Sequence, residues 1–317
     1  MKGFKAFNPG MICQGKKYRE NEIFEESTAE ICNSGMHFYE NPLDILDYYD
    51  LVNEDGSFNE FAPVESLAET KTDGKQFCTT KLKIGAKLSF GQFVSACVDF
   101  IIEKAKDSPE TSGNDARIGS SGDYAQIGSS GYNAQIGSSG KDARIVSSAY
   151  GARIFSGGDF AQIDSCGNAA RIGSSGACVQ IDSCGDGVRI GSSGYGVQIS
   201  SSGKDARIGS SAYGARIVSN AYGARIVSSG DFARISSSGS GARIRSTGED
   251  SVICCSGNGN IVSAKQGSWI TLTEWKYDET KDRFVPVCVV TKYVDGEEIK
   301  ANTPYKLKNG KFTEVKE

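Results

Sequence analysis

Between residues 116 and 262 a branched apolar residue returns every nine positions, from Ile118, Ile127 and Ile136 through Ile253, with Val262 in the last slot. Two residues before each lies Ala in most repeats, Val179, Val188 and Val197 in three, and Ser251 near the end. Two residues after lies Ser, from Ser120 to Ser246, and then Cys255. Small, branched and small side chains at spacing two have the period of a β-strand. Ala, Ile and Ser then share one face, while Arg or Gln and a variable residue point the other way. Gly122, Gly131, Gly140, Gly158 and Gly167 follow the Ser-Ser step, with Ala149, Ala212 and Ala221 as exceptions. That slot is expected to be a turn position at positive φ. So small an inner face buries no core by itself. Stacked copies do, which predicts a parallel β-solenoid.

Two repeats per coil, eighteen residues, are favoured over three. Gln162-Ile163-Asp164-Ser165-Cys166-Gly167 recurs eighteen residues on, at 180–185, whereas 171–176 between them differs. The Arg/Gln slot sorts the same way. Alternate repeats give Arg117, Gln135, Arg153, Arg171, Arg189, Arg207, Arg225 and Arg243; the others give Gln126, Arg144, Gln162, Gln180, Gln198, Arg216 and Arg234. Eight coils would stack to roughly 38 Å at ~4.8 Å per strand.

The flanks differ in kind. Residues 1–108 read as a small α+β domain, with a strand at 4–7, a turn and strand over 34–39, and paired strands over 61–88 that turn at Thr72-Asp73-Gly74. Asn41-Pro42 is expected to open a helix lined by Leu43, Leu46 and Tyr49. Ser89 followed by Gln92 has the form of a capping box, ahead of Phe93, Val94, Cys97, Val98, Ile101 and Ala105 at helical spacing. Residues 107–113 read as a linker, and 114–264 as the solenoid. Residues 265–317 read as a β-hairpin tail, with Lys308-Asn309-Gly310-Lys311 as a two-residue turn. Open solenoid ends invite edge pairing, so the N-terminal domain and the tail are expected to cap the two ends. The fold class is mainly β: a parallel β-solenoid with an N-terminal α+β domain and a C-terminal β-rich cap.

Composition narrows the setting. The chain has 317 residues, 38% hydrophobic and 23% charged, without a run of eighteen apolar residues. Its start lacks the apolar stretch of a signal peptide. Ten Cys without framework spacing are expected to be reduced thiols, with Cys166 and Cys184 stacked in neighbouring coils, which points to the cytoplasm. The net charge is −4, yet residues 114–247 hold thirteen basic and nine acidic groups.

The repeat resembles the nonapeptide β-roll of calcium-binding secreted toxins. Aligning Ile118 with the hydrophobic slot puts Ala116 where the calcium Asp should be. The resemblance then implies a coil shape without the metal. The Ala-x-Ile core is also similar to pentapeptide-repeat proteins, whose period of five does not fit nine. Gly3-Phe4-Lys5-Ala6-Phe7-Asn8, the run 34–44 from Ser34-Gly35-Met36-His37-Phe38-Tyr39 to Asp44, and Tyr48-Tyr49 resemble an uncharacterised protein family of phages and gut bacteria. Gly267-Ser268-Trp269-Ile270-Thr271-Leu272 and Tyr293-Val294-Asp295-Gly296-Glu297 extend that resemblance into the tail. It implies a prophage or mobile-element setting and no known activity. Gly35-Met36-His37-Phe38 with Tyr48-Tyr49 also resembles ADP-ribosyltransferases, which implies NAD handling. Here, however, the first strand offers Lys5 instead of Arg or His, and only Glu65 or Glu69 could supply a catalytic Glu.

Among candidate chemistry, His37 is the single His and is expected to be a packed structural residue. The cysteines lack the spacing of a zinc site. The arginine column Arg153, Arg171, Arg189, Arg207, Arg225 and Arg243 is the candidate binding surface, for an acidic protein face or nucleic acid. The opposing reading is a solvated face paired with Asp159, Asp186 and Asp205. Tyr132, Tyr150, Tyr195, Tyr213 and Tyr222 share a turn slot, as a contact ridge or as turn filling. The expected function is a non-enzymatic binding scaffold that presents a rigid repeat surface to a macromolecular partner, protein before nucleic acid and not a membrane. One version is a phage-encoded inhibitor of a host defence protein. The alternatives are an ADP-ribosyltransferase-like N-terminal domain with a solenoid spacer, or a virion or assembly part. No cofactor or metal is expected.

Overall fold

The computed structural model describes residues 1–53, 57–107 and 113–316; the expected linker lies largely outside them. The protein is mainly β, with a parallel solenoid of about nine coils of ~18 residues. Strand partners are eighteen residues apart, as in Ile118 with Ile136 and Ile172 with Ile190. Alternate strands build two facing sheets. One, the arginine sheet, starts at Arg117–Ser120 and has eleven strands; the opposite sheet starts at Gln126–Ser129 and has ten. Between them Ala, Ile and Ser from every coil form one buried spine, including Ala152, Ile154, Ser156, Val188, Ile190 and Ser192.

The turns correct the expected role of glycine. Positive φ falls two residues beyond the expected slot, at Tyr124, Asn133, Asp142, Phe160, Ala169, Gly187 and Gly223 among others. Gly131, Gly140 and Gly167 are small for a different reason. A Cβ on any of them would collide with the carbonyl oxygen of Gly113, Gly122 or Ala149 in the coil below. Side chains just after this slot clamp the turns: Asp123, Asp159 and Asp186 each accept the backbone N–H eighteen residues on, from Lys141, Ala177 and Lys204. These aspartates therefore serve the ladder.

The N-terminal part is a seven-stranded antiparallel sheet with Lys2–Phe7 at its centre, between Glu60–Ser66 and Met36–Tyr39. Asn41 Oδ1 accepts the Leu43 N–H at 3.0 Å, but the helix that follows is a single 3₁₀ turn, Asp44–Asp47. The capping box forms: Ser89 N–H donates to Gln92 Oε1, and Gln92 N–H to Ser89 Oγ. It opens α1, Phe90–Asp107.

The tail closes one end of the solenoid. Trp269–Asp278 continues the opposite sheet and turns back as Arg283–Tyr293, while the Asn309-Gly310 hairpin pairs with the arginine sheet through Val262 and Tyr305. The N-terminal domain does not cover the other end. Its helix α1 lies instead along the outer face of the arginine sheet. A Cβ on Gly119 would meet Ile102, on Gly137 Ile101, on Gly173 Phe155 first and then Val94, and on Gly191 Phe90. Twelve helical residues from Phe90 to Ile102 rise ~18 Å, and the four strand steps from Gly191 back to Gly119 span ~19 Å. The helix thus drops one inner side chain per strand or so. Gly209 continues the groove under Val52 and Phe58.

Ile190 is fully buried, and Ile190→Ala should lower stability by about 2–5 kcal/mol. Ala169 sits at φ 56°, where a Cβ costs about 1–2 kcal/mol, so Ala169→Gly should move the urea midpoint upward while Ile190→Ala moves it down.

Candidate functional site

The arginine column exists in register: Arg153 lies beside Arg171, Arg171 beside Arg189, Arg189 beside Arg207, Arg207 beside Arg225, and Arg225 beside Arg243. Much of it faces the chain's own N-terminal domain. Asp44 and Asp47, from the 3₁₀ turn, bind the Arg153 guanidinium, which is buried, while Asp44 is half-buried and Asp47 exposed. Asp50 bridges two coils, 2.9 Å from Arg189 Nε and 3.1 Å from Arg207 Nη1. Burial, with Arg153 and Arg189 on either side, lowers the pKa of Arg171. Arg225 is half-buried, and Arg243 at the tail-side end is exposed. The acidic protein face that this column fits is therefore, for Arg153, Arg189 and Arg207, an internal one.

The tyrosines do not make one ridge. Tyr132 and Tyr150 stack at 5.3 Å after strands of the opposite sheet, whereas Tyr195 and Tyr213 stack at 5.5 Å after strands of the arginine sheet. These are two short stacks on opposite edges. Cys166 and Cys184 do lie in neighbouring coils, but as a disulfide with Cα atoms 4.8 Å apart, which corrects the expectation of reduced thiols for this pair, while the other eight cysteines are free. An eighteen-residue coil places any slot one strand spacing above itself, within reach of such a bond.

A second site lies inside the N-terminal domain. A cavity of about 510 Å³ is lined by Lys5, Cys13, Lys16, Tyr18, Glu26, His37, Tyr39, Tyr48 and Tyr49 among others. The residues marked by sequence resemblance, in the segments 3–8, 34–39 and 48–49, thus converge on one hollow. Lys5 comes from the central strand, and its Nζ donates to the His37 carbonyl at 2.8 Å. The ammonium lies 5.4 Å from the Tyr18 ring centre, and burial pushes its pKa down. His37 Nε2 accepts the Cys32 N–H, and burial together with Lys5 lowers its pKa. Tyr49 hydroxyl meets Cys13 Sγ at 3.1 Å. Burial raises the phenols of Tyr18, Tyr39 and Tyr49. Glu26, paired with Lys16 at 3.0 Å, is the carboxylate beside His37 in this cavity. Glu65 and Glu69 are elsewhere: Glu65 pairs with Lys2 in the sheet and Glu69 is exposed. Sequence spacing gave no signal for Glu26. Among the described residues no cluster of His, Cys, Asp or Glu is placed to hold a metal ion, and no helix is long and apolar enough to cross a membrane.

Residues 1–96 match the model of a domain of unknown function, DUF7666. That match ends within α1 and includes every element around the cavity, while the solenoid lies beyond it. No curated protein and no solved structure matches the chain.

Asp44→Asn with Asp47→Asn strands the buried Arg153 charge, and thermal unfolding should show a loss of about 3–5 kcal/mol, far more than for an exposed pair. Lys5 gives a pH signature. Its folded-state pKa is depressed, so the unfolded chain holds that proton more tightly, and protonated Lys5 opposes folding. The penalty fades as pH rises from the folded pKa toward 10.5. Relative to wild type, Lys5→Met should be stabilised most below the folded-state pKa of Lys5, with the gap between melting midpoints narrowing as pH rises into alkali.

Proposed function

We propose that this protein is a rigid binding scaffold, with 1–108, 114–264 and 265–317 as its three parts, and that it presents the sheet opposite the N-terminal domain to a protein partner. One observation carries this reading. The two faces of the solenoid differ: the arginine sheet is covered by α1 and its acidic turn, while the opposite sheet keeps its outward side chains in solvent. There Arg144, Gln162, Gln180, Gln198, Arg216 and Arg234 are exposed in every coil, alternating with buried Ile and Ser. Gln162, Gln180 and Gln198 lie side by side, as do Asp164 and Asp182 one slot over. A backbone ladder fixes these columns before any partner arrives, so little freedom is lost on binding. Acidic and basic columns together suit a mixed protein surface better than a polyanion. Arg243 and Arg245 extend basic character at the tail-side end. A phage-encoded inhibitor seated on a host protein is the specific form that the flank resemblance suggests. A second reading, ligand handling by the N-terminal domain, is favoured by His37 and Glu26 lining one cavity.

Gln162→Lys, Gln180→Lys and Gln198→Lys together place like charges ~4.8 Å apart, at a cost of only about 0.9 kcal/mol per neighbouring pair in water. The triple variant should stay folded by circular dichroism and lose at least tenfold in retention of a partner that wild type captures from native lysate. Full retention by this variant, with loss on Arg243→Glu and Arg245→Glu, would move the surface to the arginine sheet.

A further inference from the structure

The cavity holds a buried lysine without a carboxylate partner. Lys5 is 5% exposed, and no carboxylate of a described residue lies within ion-pair distance of its Nζ. Its hydrogen bonds go to the His37 carbonyl at 2.8 Å and to the Cys13 side chain, and neither partner is a carboxylate. A buried charge without a paired opposite charge is costly and rare in a site with only a packing role. The aromatic faces of Phe7 and Tyr18, 5.8 and 5.4 Å away, offset part of that cost. Glu26 is turned to Lys16 at 3.0 Å instead. The remaining walls are tyrosine rings, Tyr18, Tyr39, Tyr48 and Tyr49, with Gln14, Asn33 and Ser34 as polar groups on the lining. The volume, about 510 Å³, lies within the ~300–1,000 Å³ of small-molecule sites.

We propose that this cavity binds a small aromatic oxyanion, a carboxylate or a phosphate monoester, with its acidic group on Lys5 Nζ and its ring against the tyrosines. The assignment stands apart from the scaffold reading, since the cavity and the exposed sheet share no residue. The two acids offer the same chemistry to an ammonium, and two probes separate them. Benzoate and phenyl phosphate are titrated separately into the full chain by calorimetry, and the tighter probe identifies the class. One of them should saturate with Kd below about 1 mM, equivalent to roughly −4 kcal/mol. Lys5→Met should weaken it at least tenfold, and Lys2→Met, an exposed lysine on the same strand outside the cavity, should leave it unchanged. Should Lys5→Met fail to fold, wild-type protein labelled at lysine reports directly: the Lys5 side-chain resonance must shift in step with the titration. Saturation by neither probe, equal binding to folded Lys5→Met, or a Lys5 resonance that does not move would each overturn the assignment.

Discussion

Backbone hydrogen bonds between coils eighteen residues apart set every other spacing in this protein. Gln135 N–H donates to Ala116 carbonyl, Arg153 N–H to Ala134 and Arg171 N–H to Ala152, each at 2.8 Å, and the pattern continues to the tail. Each bond alone contributes modestly, about 0.5–1.5 kcal/mol net. Their shared register is what matters, because a slip by one residue would turn the isoleucine spine outward and the arginines inward. Within that register chemically identical groups must stack. Isoleucine on isoleucine is favourable, arginine on arginine is tolerated in solvent but gains from outside acids where it is covered, and cysteine on cysteine can bond.

The N-terminal domain meets both demands of the face it covers. Its helix occupies a groove made by the missing side chains of Gly119, Gly137, Gly173 and Gly191, and Val52 and Phe58 fill the continuation at Gly209. Its aspartates supply charge to Arg153, Arg189 and Arg207. The groove works because helix rise and strand spacing nearly match: one strand step equals about three helical residues, so an i, i+3, i+4 stripe keeps pace with the coils. Phe155, which replaces glycine in one coil, instead packs edge-on to Phe93 of the helix, with rings 6.4 Å apart. The domain therefore serves as a lateral clamp, while the tail alone ends the stack. This division leaves one long face of the solenoid uncovered and gives the molecule two unlike sides.

The cavity depends on the domain sheet in another way. Lys5 sits on the central strand, so its neighbours on both sides exclude water, and the 3₁₀ turn brings Tyr48 and Tyr49 across the opening. The same turn carries Asp44 and Asp47 on its other side, toward Arg153. One short element thus contributes both to the hollow and to the seam with the solenoid.

The solenoid, its coil length, its inner face and the hairpins of the tail were legible from residue spacing alone, because nine-residue periodicity and Asn-Gly turns act locally. The docking groove was legible in principle. Glycine recurs after Ile118, Ile136, Ile172, Ile190 and Ile208, whereas the opposite strands carry Gly128 once and then Val146, Asp164, Asp182, Ser200 and Val218 in that slot, a parity like that of the arginines. What the chain could not declare locally was its long-range contacts. The arginine column reads as a free surface until Asp44, Asp47 and Asp50, more than a hundred residues away from Arg153 and Arg207, are folded onto it. Glu26 reads as an ordinary surface acid until the sheet sets it beside Lys16 and His37. Periodicity fixes how neighbours in a coil stack, since the interactions repeat along the chain. Which non-repeating segment lies over which face is decided by shape and charge matched across the whole fold, and only the tertiary structure records that.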